Sequence, residues 1–383
     1  MNPLYVKKYE NFQKALNRQE GDYVPNAVAN NGGGLFWSGK TVFDVAGNHS
    51  EYARTLTAFL DETWMDASIL ACVTTTPRRD KAFPTAENRL APDGTLTHLQ
   101  SPHMKPEEYD QLIADPKAFI ANVLLPRKYP YLFEDRETAK ATLKVYAEEQ
   151  VENFIYQSGY TKKYLEENYG ICSFVNSGCM VNTPLDYIFD YFRGFRGTLT
   201  DLRRHSAKVQ AALDALWEYR CVPLVSGSYD PNKGFPMQPC HIPAYLSPKQ
   251  YKELYWPYEK KLIEWAAGQG TKIYVSMEGR WDSIMECFLE VPRDSVVLNV
   301  DDDDILKVHS VLGDHQIICG GLKLADTRLK PFEQMKDDIK KVIDTCAPGG
   351  GFLFSTDKGL LTPGDVNPTL IEAFNFAHEY SKK

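Results

Sequence analysis

The C-terminal part of the chain alternates short apolar segments with helical segments, and this alternation restricts the fold more than any other feature. Four apolar segments of strand length occur there: KIYVSME, SVVLNVD, HQIICGG and GFLFSTD. Helical sequence lies between them, and PFEQMKDDIKKVIDTC is strongly amphipathic. Repeated strand–helix units predict a parallel sheet, either closed into a barrel or open and doubly wound.

The same alternation continues towards the N-terminus, with longer connections. Four further strands are predicted at YVPNAVA, DASILACV, YGICSFVNSG and YRCVPLVSGSY. Eight strand–helix units favour a (β/α)8 barrel over an open sheet. No linker, low-complexity segment or charge block divides the sequence. We therefore expect residues 1–383 to form one α/β TIM-barrel domain with N-terminal helical decoration.

The charge and hydropathy of the chain argue against several classes of partner. Its 43 Lys and Arg residues and 51 Asp and Glu residues give a formal net charge of −8. Nucleic acids and anionic membranes bind basic surfaces, so neither is expected as a partner. The sequence shows no run of 18 apolar residues and no apolar signal-peptide core near its start. A cytoplasmic location is therefore expected.

The eight cysteines are scattered singly, without a C-x-x-C pair. In such a chain they are predicted to be reduced thiols, most of them small core residues. The pattern predicts no compact thiolate metal site.

Residues 34–41, GLFWSGKT, match the P-loop pattern G-x-x-x-x-G-K-[ST]. In a P-loop, small residues let successive backbone N–H groups converge on a phosphate. Here Leu35, Phe36 and Trp37 would place three bulky side chains in the turn. The segment is therefore predicted to be a glycine-rich loop after the first strand, in which Phe36 and Trp37 wall a substrate site.

Polar or ionisable side chains stand at the predicted ends of successive strands. In a (β/α)8 barrel the reacting groups lie at the carboxyl ends of the strands. Each such residue alone could be an ordinary polar loop residue, but the set predicts a site at the barrel mouth. The residues at these ends are Asn176, Tyr229, Glu278, Asp301, Cys319 and Asp357.

Glu278 is the strongest single candidate, because it ends a clean strand and precedes a glycine that would let a ligand approach the backbone. A carboxylate in this position can act as a metal ligand or as a general acid or base. Asp357 occupies the matching place on the last strand, and Cys319 offers a thiol from the strand between them. His241, in the loop after the predicted fourth strand, is either structural or a ligand or catalytic group.

Several longer segments resemble the uroporphyrinogen decarboxylase superfamily. The resemblance covers most of the chain, is more specific after about Ser247, and implies a (β/α)8 barrel. The segments that carry it are ALNRQEGDYVPNAV, LSPKQYKELYWPYEKKLIEWA, IYVSMEG, VVLNVDDDDILKVHSVLGDHQIICGGL and GGGFLFSTDKGLLTPGDVNPTLIEAFNFA.

The resemblance implies a corrinoid-dependent methyltransferase rather than a decarboxylase. Where the decarboxylases carry an arginine-bearing segment that grips porphyrinogen carboxylates, this chain has NNGGGLFWSGK. PEEYDQLIADP and LLPRKYP resemble members that demethylate methoxylated aromatics. The implied reaction transfers a methyl group from such a donor to the cob(I)alamin of a separate corrinoid-binding protein. A uroporphyrinogen decarboxylase-type activity and a thiol or amine:corrinoid methyltransferase are the alternatives, and a homodimer is compatible with the family.

The resemblance also bears on a metal. Thiol-methylating members hold zinc through His-x-Cys and a later Cys, and the matching positions here are Ser276, Glu278 and about Asp357. Oxygen donors thus replace soft thiolates. We expect either a harder zinc site formed by Glu278, Cys319 and Asp357, or no metal.

Demethylation of an aryl ether requires the leaving oxygen to be neutralised as the C–O bond breaks. Glu278, Asp357 and His241 are predicted to provide this, either through a carboxyl whose pKa is raised in an aromatic pocket or through a bound metal. The predicted substrate-binding residues are Phe36, Trp37, Asn176, Tyr229, Phe235 and Asp301.

Overall fold

A barrel of parallel strands forms the centre of the computed structural model, which describes residues 2–73, 75–84, 88–98 and 102–383. Two strands, Asn88–Leu90 and Leu96–His98, form a separate antiparallel hairpin, and the other nine belong to one parallel sheet. In chain order the strands are β1 (Asn26–Asn30), β2 (Ala67–Ala71), β3 (Asn88–Leu90), β4 (Leu96–His98), β5 (Cys172–Ser173), β6 (Val175–Met180), β7 (Phe235–Pro239), β8 (Ile273–Met277), β9 (Val296–Val300), β10 (Ile317–Leu322) and β11 (Phe352–Thr356).

β5 and β6 are two parts of a single barrel strand, separated only by Phe174. β5 pairs with β2, and β6 pairs with β7. β2 also pairs with β1, β1 pairs with β11, and the remaining neighbours run in order from β11 back to β7. The sheet therefore closes on itself with eight strands, and the predicted (β/α)8 barrel is confirmed.

Helices surround this barrel. In the described residues the α-helices are Pro3–Leu16, Gly33–Trp37, Val42–Val45, His49–Thr57, Pro77–Ala82, Tyr109–Ala114, Pro116–Phe119, Leu125–Lys128, Tyr131–Glu134, Arg136–Gln150, Ser158–Asn168, Pro184–Tyr187, Gly194–Arg204, Ser206–Leu216, Val222–Val225, Pro248–Gln250, Trp256–Gly268, Ile305–Leu312, Asp326–Leu329, Phe332–Cys346 and Pro368–Tyr380. Several are extended by π-helical turns, at Ile120–Leu124, Val151–Gln157, Ile188–Arg193, Trp217–Cys221 and Tyr251–Tyr255. Short 3-10 helices occur at Ala58–Asp61, Pro106–Glu108, Pro231–Lys233, Pro243–Tyr245 and Met285–Glu290.

The N-terminal helix Pro3–Leu16 closes the lower end of the barrel. Asn2 caps it by accepting a hydrogen bond from the backbone of Leu4, and Pro3 takes the first helical position, where no N–H is needed. Its apolar residues Phe12 and Leu16 belong to the same buried cluster as residues at the starts of the strands. This helix is the N-terminal decoration that the sequence predicted, and it leaves the carboxyl ends of the strands as the other end of the barrel.

The fourth barrel strand lies in a different segment from the one predicted. Residues 219–225 of YRCVPLVSGSY are helical, because a short apolar run alone does not distinguish a strand from a buried helix. The fourth strand is β7. It was not predicted because Pro236 and Pro239 have no N–H group to donate to a neighbouring strand, which is unusual in a central strand. As a consequence Tyr229 precedes this strand, and His241 follows it by two residues.

The segment that matches the P-loop pattern forms a short helix, Gly33–Trp37, and is neither a phosphate cradle nor the glycine-rich loop that the sequence predicted. Its first amides are already occupied: Gly33 donates to the carbonyl of Leu360 at 3.0 Å, and Gly34 donates to Oδ1 of Asn30 at 3.2 Å. These N–H groups therefore do not converge on a common anion.

Across the part of the chain that the structure describes, helices fall short of the length and apolar character that crossing a membrane requires. Seven of the eight cysteines are buried and Cys179 is half-buried. They pack as small core residues, as the sequence indicated.

Candidate active site at the barrel mouth

The carboxyl ends of the barrel strands enclose a cavity of about 370 Å³, which we call the mouth cavity. Its wall combines apolar side chains with charged and polar ones, and Tyr274 is the single aromatic among the described residues that line it. This is a mouth in the position where (β/α)8 barrels carry their reacting groups. The lining residues are Ala29, Asn31, Ile69, Leu70, Met237, Tyr274, Ser276, Glu278, Asn299, Asp301, Ser355, Thr356, Asp357, Lys358, Gly359 and Leu361.

His241 joins two carboxylates at this mouth. Its Nδ1 lies 2.9 Å from each carboxylate oxygen of Asp190, and its Nε2 lies 3.4 Å from Oε1 of Glu278. Asp190 is nearly buried, with a side chain 7% exposed, whereas Glu278 is 46% exposed and faces the mouth cavity. The three side chains therefore form a line from the protein interior to the cavity, which we call the Asp190–His241–Glu278 line.

The electrostatics of this line hold the imidazole in its charged form. Burial alone would lower the pKa of His241, but the hydrogen bonds to Asp190 and Glu278 and their negative charges outweigh it and raise the pKa from 6.5 to about 11. As an imidazolium, His241 donates from both ring nitrogens. At neutral pH the site therefore presents a proton on a nitrogen that faces a carboxylate of the mouth.

The turn after β8 presents Glu278 to the cavity. Gly279 adopts φ +76°, and an added Cβ there would lie 2.7 Å from Cβ of Ala244. Its amide donates to Oδ2 of Asp301 at 3.0 Å, which ties the turn to the end of β9. Only glycine fits this conformation and this contact without strain. The surroundings of Glu278 are polar, so the predicted aromatic pocket around this carboxyl is absent from the described lining.

A second group of charges lies at the ends of β9 and β11. Lys358 Nζ is 2.6 Å from Oδ1 of Asp301 and 3.2 Å from Oδ1 of Asp302. Asp357 accepts hydrogen bonds at 2.9 Å from the backbone of Leu324 and of Lys358. Burial raises the pKa of Asp357 above its usual value. Asp301 and Asp357 stand at the mouth where the sequence placed them, but both are engaged in holding the loops together.

Two fully buried carboxyls stand behind His241. Asp186 accepts a hydrogen bond from Tyr255 Oη at 2.8 Å, and Glu259 accepts one from Tyr251 Oη at 2.5 Å. Burial, the largest effect, raises the pKa of Asp186 to about 7 and that of Glu259 to about 8. Both accept hydrogen bonds from tyrosines, and the charge of the nearby His241 does not offset the effect of burial on Asp186, so the protonated form is favoured below these pKa values.

Three of the predicted site residues lie outside the mouth cavity, because β6 continues beyond the predicted strand end and β7 lies in a different segment from the one predicted. Asn176 is the second residue of β6, which continues to Met180, and its Nδ2 donates to Tyr229 Oη at 2.9 Å. Tyr229 Oη in turn donates to the carbonyl of Gly234, just before β7. Phe235, the first residue of β7, packs against Phe174 in the barrel interior.

Cys319 and the aromatic pair of the first loop are also placed differently from the prediction. Cys319 is fully buried inside the barrel, and burial raises the pKa of its thiol to about 12. Trp37 packs against the main hydrophobic core, and Phe36 lines a different, smaller cavity. None of these three side chains is part of the mouth cavity lining.

The predicted zinc ligands do not come together. Within residues 2–73, 75–84, 88–98 and 102–383, no group of three or more His, Cys, Asp or Glu side chains is arranged to hold a metal ion. Cys319 points into the apolar interior, and Asp357 is occupied by backbone amides. The donor set proposed from the sequence therefore does not fit zinc.

Asp190 is the functional residue that sequence reasoning missed. It lies in the π-helical turn Ile188–Arg193, 51 residues before His241. No motif marks it, since it is one acidic residue in an aromatic helix of the segment FDYFRG. The pairing becomes visible only when β6 and β7 are adjacent, because each of the two residues follows one of these strands.

Comparisons with known proteins agree with this architecture. Residues 191–380 match the family model described as uroporphyrinogen decarboxylase (URO-D). A comparison with curated proteins found no match. Among solved structures, a methyltransferase from Methanosarcina mazei aligns over 98% of each chain with a TM-score of 0.57 and 15% sequence identity, a level of likeness that speaks to the fold. Residues 191–380 are thus similar to the uroporphyrinogen decarboxylase family that the sequence segments resemble, and the fold of the whole chain is similar to that of the solved methyltransferase.

Proposed function

We propose that this protein is a corrinoid-dependent methyltransferase that takes a methyl group from a methoxylated aromatic compound and passes it to the cob(I)alamin of a separate corrinoid-binding protein. The family domain and the fold shared with a protein titled a methyltransferase support the general class. The observation that carries the specific proposal is the Asp190–His241–Glu278 line, which holds a proton at the mouth.

The chemistry of aryl ether demethylation matches this arrangement. The methyl carbon forms its new bond to the corrinoid cobalt while its bond to the ether oxygen breaks, and the electron pair of that bond stays on oxygen. The product oxygen then takes a proton and becomes a phenol. Only groups that stabilise the developing negative charge accelerate this step, and His241 Nε2 carries such a proton beside the cavity.

The proton affinities of donor and acceptor are also matched. The pKa of His241 is raised to about 11, and that of an ordinary phenol is about 10. His241 therefore keeps its proton at neutral pH until negative charge develops on the leaving oxygen, whose proton affinity as a phenolate is similar. His241 is the catalytic residue in this proposal, and Glu278, which lines the cavity, orients the same proton and contacts the donor.

Asp190 acts through His241 and is a positioning residue. It contacts Nδ1 with both of its oxygens, so it fixes the ring orientation and favours the charged form of the ring. Because its side chain is nearly buried, solvent does not weaken this contact. Asp301 and Asp357 hold the rim of the mouth, and the mechanism uses neither zinc nor Cys319.

A methylated ammonium donor is a second candidate, favoured by one observation. The mouth cavity is lined by three carboxylates, Glu278, Asp301 and Asp357, against one amine, Lys358. An excess of negative charge favours a cationic donor. The same excess weighs against a polycarboxylate substrate of the decarboxylase type.

A panel of donors distinguishes these functions. The purified chain is mixed with a corrinoid-binding protein whose cobalamin has been chemically reduced and with one donor: an aryl methyl ether, a tetraalkylammonium salt or a methyl thioether. We expect methylcobalamin to form from the aryl ether. Formation from the ammonium salt alone would establish the second candidate, and carbon dioxide release from uroporphyrinogen without cobalamin would establish a decarboxylase.

A further inference from the structure

A second cavity of about 280 Å³, the side cavity, lies under the β3–β4 hairpin and the helix Gly33–Trp37. We propose that it binds the neutral, apolar part of the methyl donor that does not react. This inference rests on the proposed function and adds a specificity site to it. The lining residues are Asn31, Gly32, Leu35, Phe36, Val42, Val73, Gly94, Thr95, Leu96, Leu361 and Thr362.

The wall of the side cavity favours apolar ligand groups. None of the described residues that line it is charged, and Leu35, Val42 and Val73 belong to a small apolar cluster separate from the main core. Apolar cavities exclude water and bind apolar ligands of matching size. The cavity therefore fits an alkyl or aryl substituent and disfavours a carboxylate or an ammonium group.

The side cavity adjoins the mouth cavity. Asn31 and Leu361 line both cavities, and we call the boundary that they form the neck. Backbone hydrogen bonds fix this neck: Asn31 donates to the carbonyl of Leu360 at 2.9 Å, and Leu361 donates to Oδ2 of Asp365 at 2.7 Å. In the proposed binding mode a ligand in the mouth cavity passes between these two side chains, and because Leu361 is exposed its displacement does not require a segment to unfold.

The position of the neck orients the donor. Glu278 follows β8, whereas Asn31 follows β1 and Leu361 follows β11, so the reacting end and the neck lie on different sides of the mouth. An ether oxygen at Glu278 directs the opposite end of the ring towards the neck. The favoured donor is therefore an aryl methyl ether with an apolar substituent opposite its methoxy group.

Leu96 offers a precise test, because it lines the side cavity from strand β4 while its neighbour Thr97 is exposed. Adjacent residues of a strand point to opposite faces, so Leu96→Trp fills the cavity and Thr97→Trp adds the same bulk outside it. Calorimetry on the whole chain measures the affinities of 4-methoxytoluene and 4-propylanisole without cobalamin. Thermal unfolding of both variants checks that they fold.

In the wild type and in Thr97→Trp we expect the longer chain to raise affinity by roughly fourfold for each buried methylene. In Leu96→Trp we expect the gain to fall below about twofold while 4-methoxytoluene still binds. An equal gain in Leu96→Trp, no gain in the wild type, or no binding of either ether would overturn the inference. If both ethers bind as expected but no methyl transfer occurs, the proposed function fails and the side cavity remains a ligand site.

If Leu96→Trp does not fold, Phe36→Ala replaces it. Phe36 lines the same cavity from the helix Gly33–Trp37, so its truncation removes contacts with the substituent. We expect the gain from the longer chain to shrink in this variant too, and an unchanged gain would contradict the assignment.

Discussion

His241 Nδ1 lies 2.9 Å from both carboxylate oxygens of Asp190. This bidentate contact comes from a nearly buried carboxylate, and it directs the other ring nitrogen, Nε2, towards Glu278 and the mouth cavity. A histidine near neutral pH ordinarily gains and loses its proton freely. Here the pair retains the proton on the ring, and in the proposed mechanism Nε2 donates this proton to the leaving oxygen.

Asp190→Asn tests this relationship. The amide removes a negative charge that raises the pKa of His241. The pKa of His241 should therefore fall, and the variant should lose the active imidazolium at a lower pH than the wild type does. We expect kcat to drop by about 10²-fold or more at neutral pH. The alkaline limb of the kcat–pH profile should also move to lower pH, which a merely structural role would not cause.

Asp302→Asn is a matched control for this prediction. Asp302 is another carboxylate near the mouth, and its partner is Lys358 at 3.2 Å. We expect its pH profile to overlay that of the wild type. If both variants shifted the alkaline limb equally, general electrostatics rather than the Asp190 contact would set the profile.

Glu278→Gln tests the residue that contacts both His241 and the cavity. The change keeps the shape of the side chain but removes its charge, so the imidazolium loses one stabilising partner. We expect kcat to fall more for aryl ethers with poor leaving groups than for those with good ones, because poor leaving groups need more charge stabilisation. Equal losses across the series would indicate a binding role only.

Gly279→Ala tests the turn that presents Glu278. The residue has φ +76°, and the new Cβ would lie 2.7 Å from that of Ala244. We expect a loss of about 1–3 kcal/mol in the free energy of unfolding, measured by chemical denaturation, and reduced methyl transfer.

Two further variants separate the backbone strain at position 279 from the steric overlap with Ala244. Gly270 has φ +72° but nothing within 4 Å of an added Cβ, so Gly270→Ala should cost only the backbone strain, about 1 kcal/mol. Adding Ala244→Gly to Gly279→Ala should recover the part due to overlap. A double variant no more stable than Gly279→Ala alone would show that the contact with Ala244 is unimportant.

Glu259 and Asp186 make stability depend on pH. Burial raises their pKa values from 4.5 to about 8 and from 3.8 to about 7. Between the unfolded and folded pKa values the folded state holds more protons, so the free energy of unfolding decreases as pH rises through this window. We expect the Tm of the wild type to fall between pH 5 and about 8, and Glu259→Gln, which mimics the neutral acid, to fall less.

The control for this measurement lies on the same helix. Glu264 is exposed on Trp256–Gly268, and Glu264→Gln should leave the slope of Tm against pH unchanged. His241 contributes to the wild-type slope in the same direction, since its raised pKa stabilises the fold below pH 6.5 and that contribution is lost towards about 11. The difference between the Glu259 and Glu264 variants isolates the buried carboxyl. Parallel slopes for the two would contradict its protonated state.

The barrel could be predicted from the sequence because most of its strands are bounded apolar runs with helices between them. β8, β9, β10 and β11 coincide with KIYVSME, SVVLNVD, HQIICGG and GFLFSTD. β7 was not predicted, because Pro236 and Pro239 are unfavourable in a central strand. The apolar run Val222–Val225 was predicted to be a strand instead, but it forms a helix. Neighbouring strands, rather than its own propensity, impose the extended conformation on β7.

The site could be predicted in part, for reasons that follow from the same strands. Glu278, Asp301 and Asp357 directly follow correctly assigned strands, so their position at the mouth could be predicted from the sequence. Cys319 sits within β10 rather than at its end, and strand alternation directs it into the interior. Asp190 stands on a helix, where sequence alone gives no register relative to His241.

The stoichiometry of a single methyl transfer tests the central claim most directly. The purified chain, a corrinoid-binding protein with reduced cobalamin and 4-methoxytoluene are mixed without oxygen, and the phenol and the methylated cobalamin are both quantified. We expect equal amounts of the two products from the wild type, and a rate lower by about 10²-fold or more in His241→Gln, which should bind the ether as the wild type does. Ether binding without phenol release in the wild type, or a wild-type rate in His241→Gln, would contradict the account.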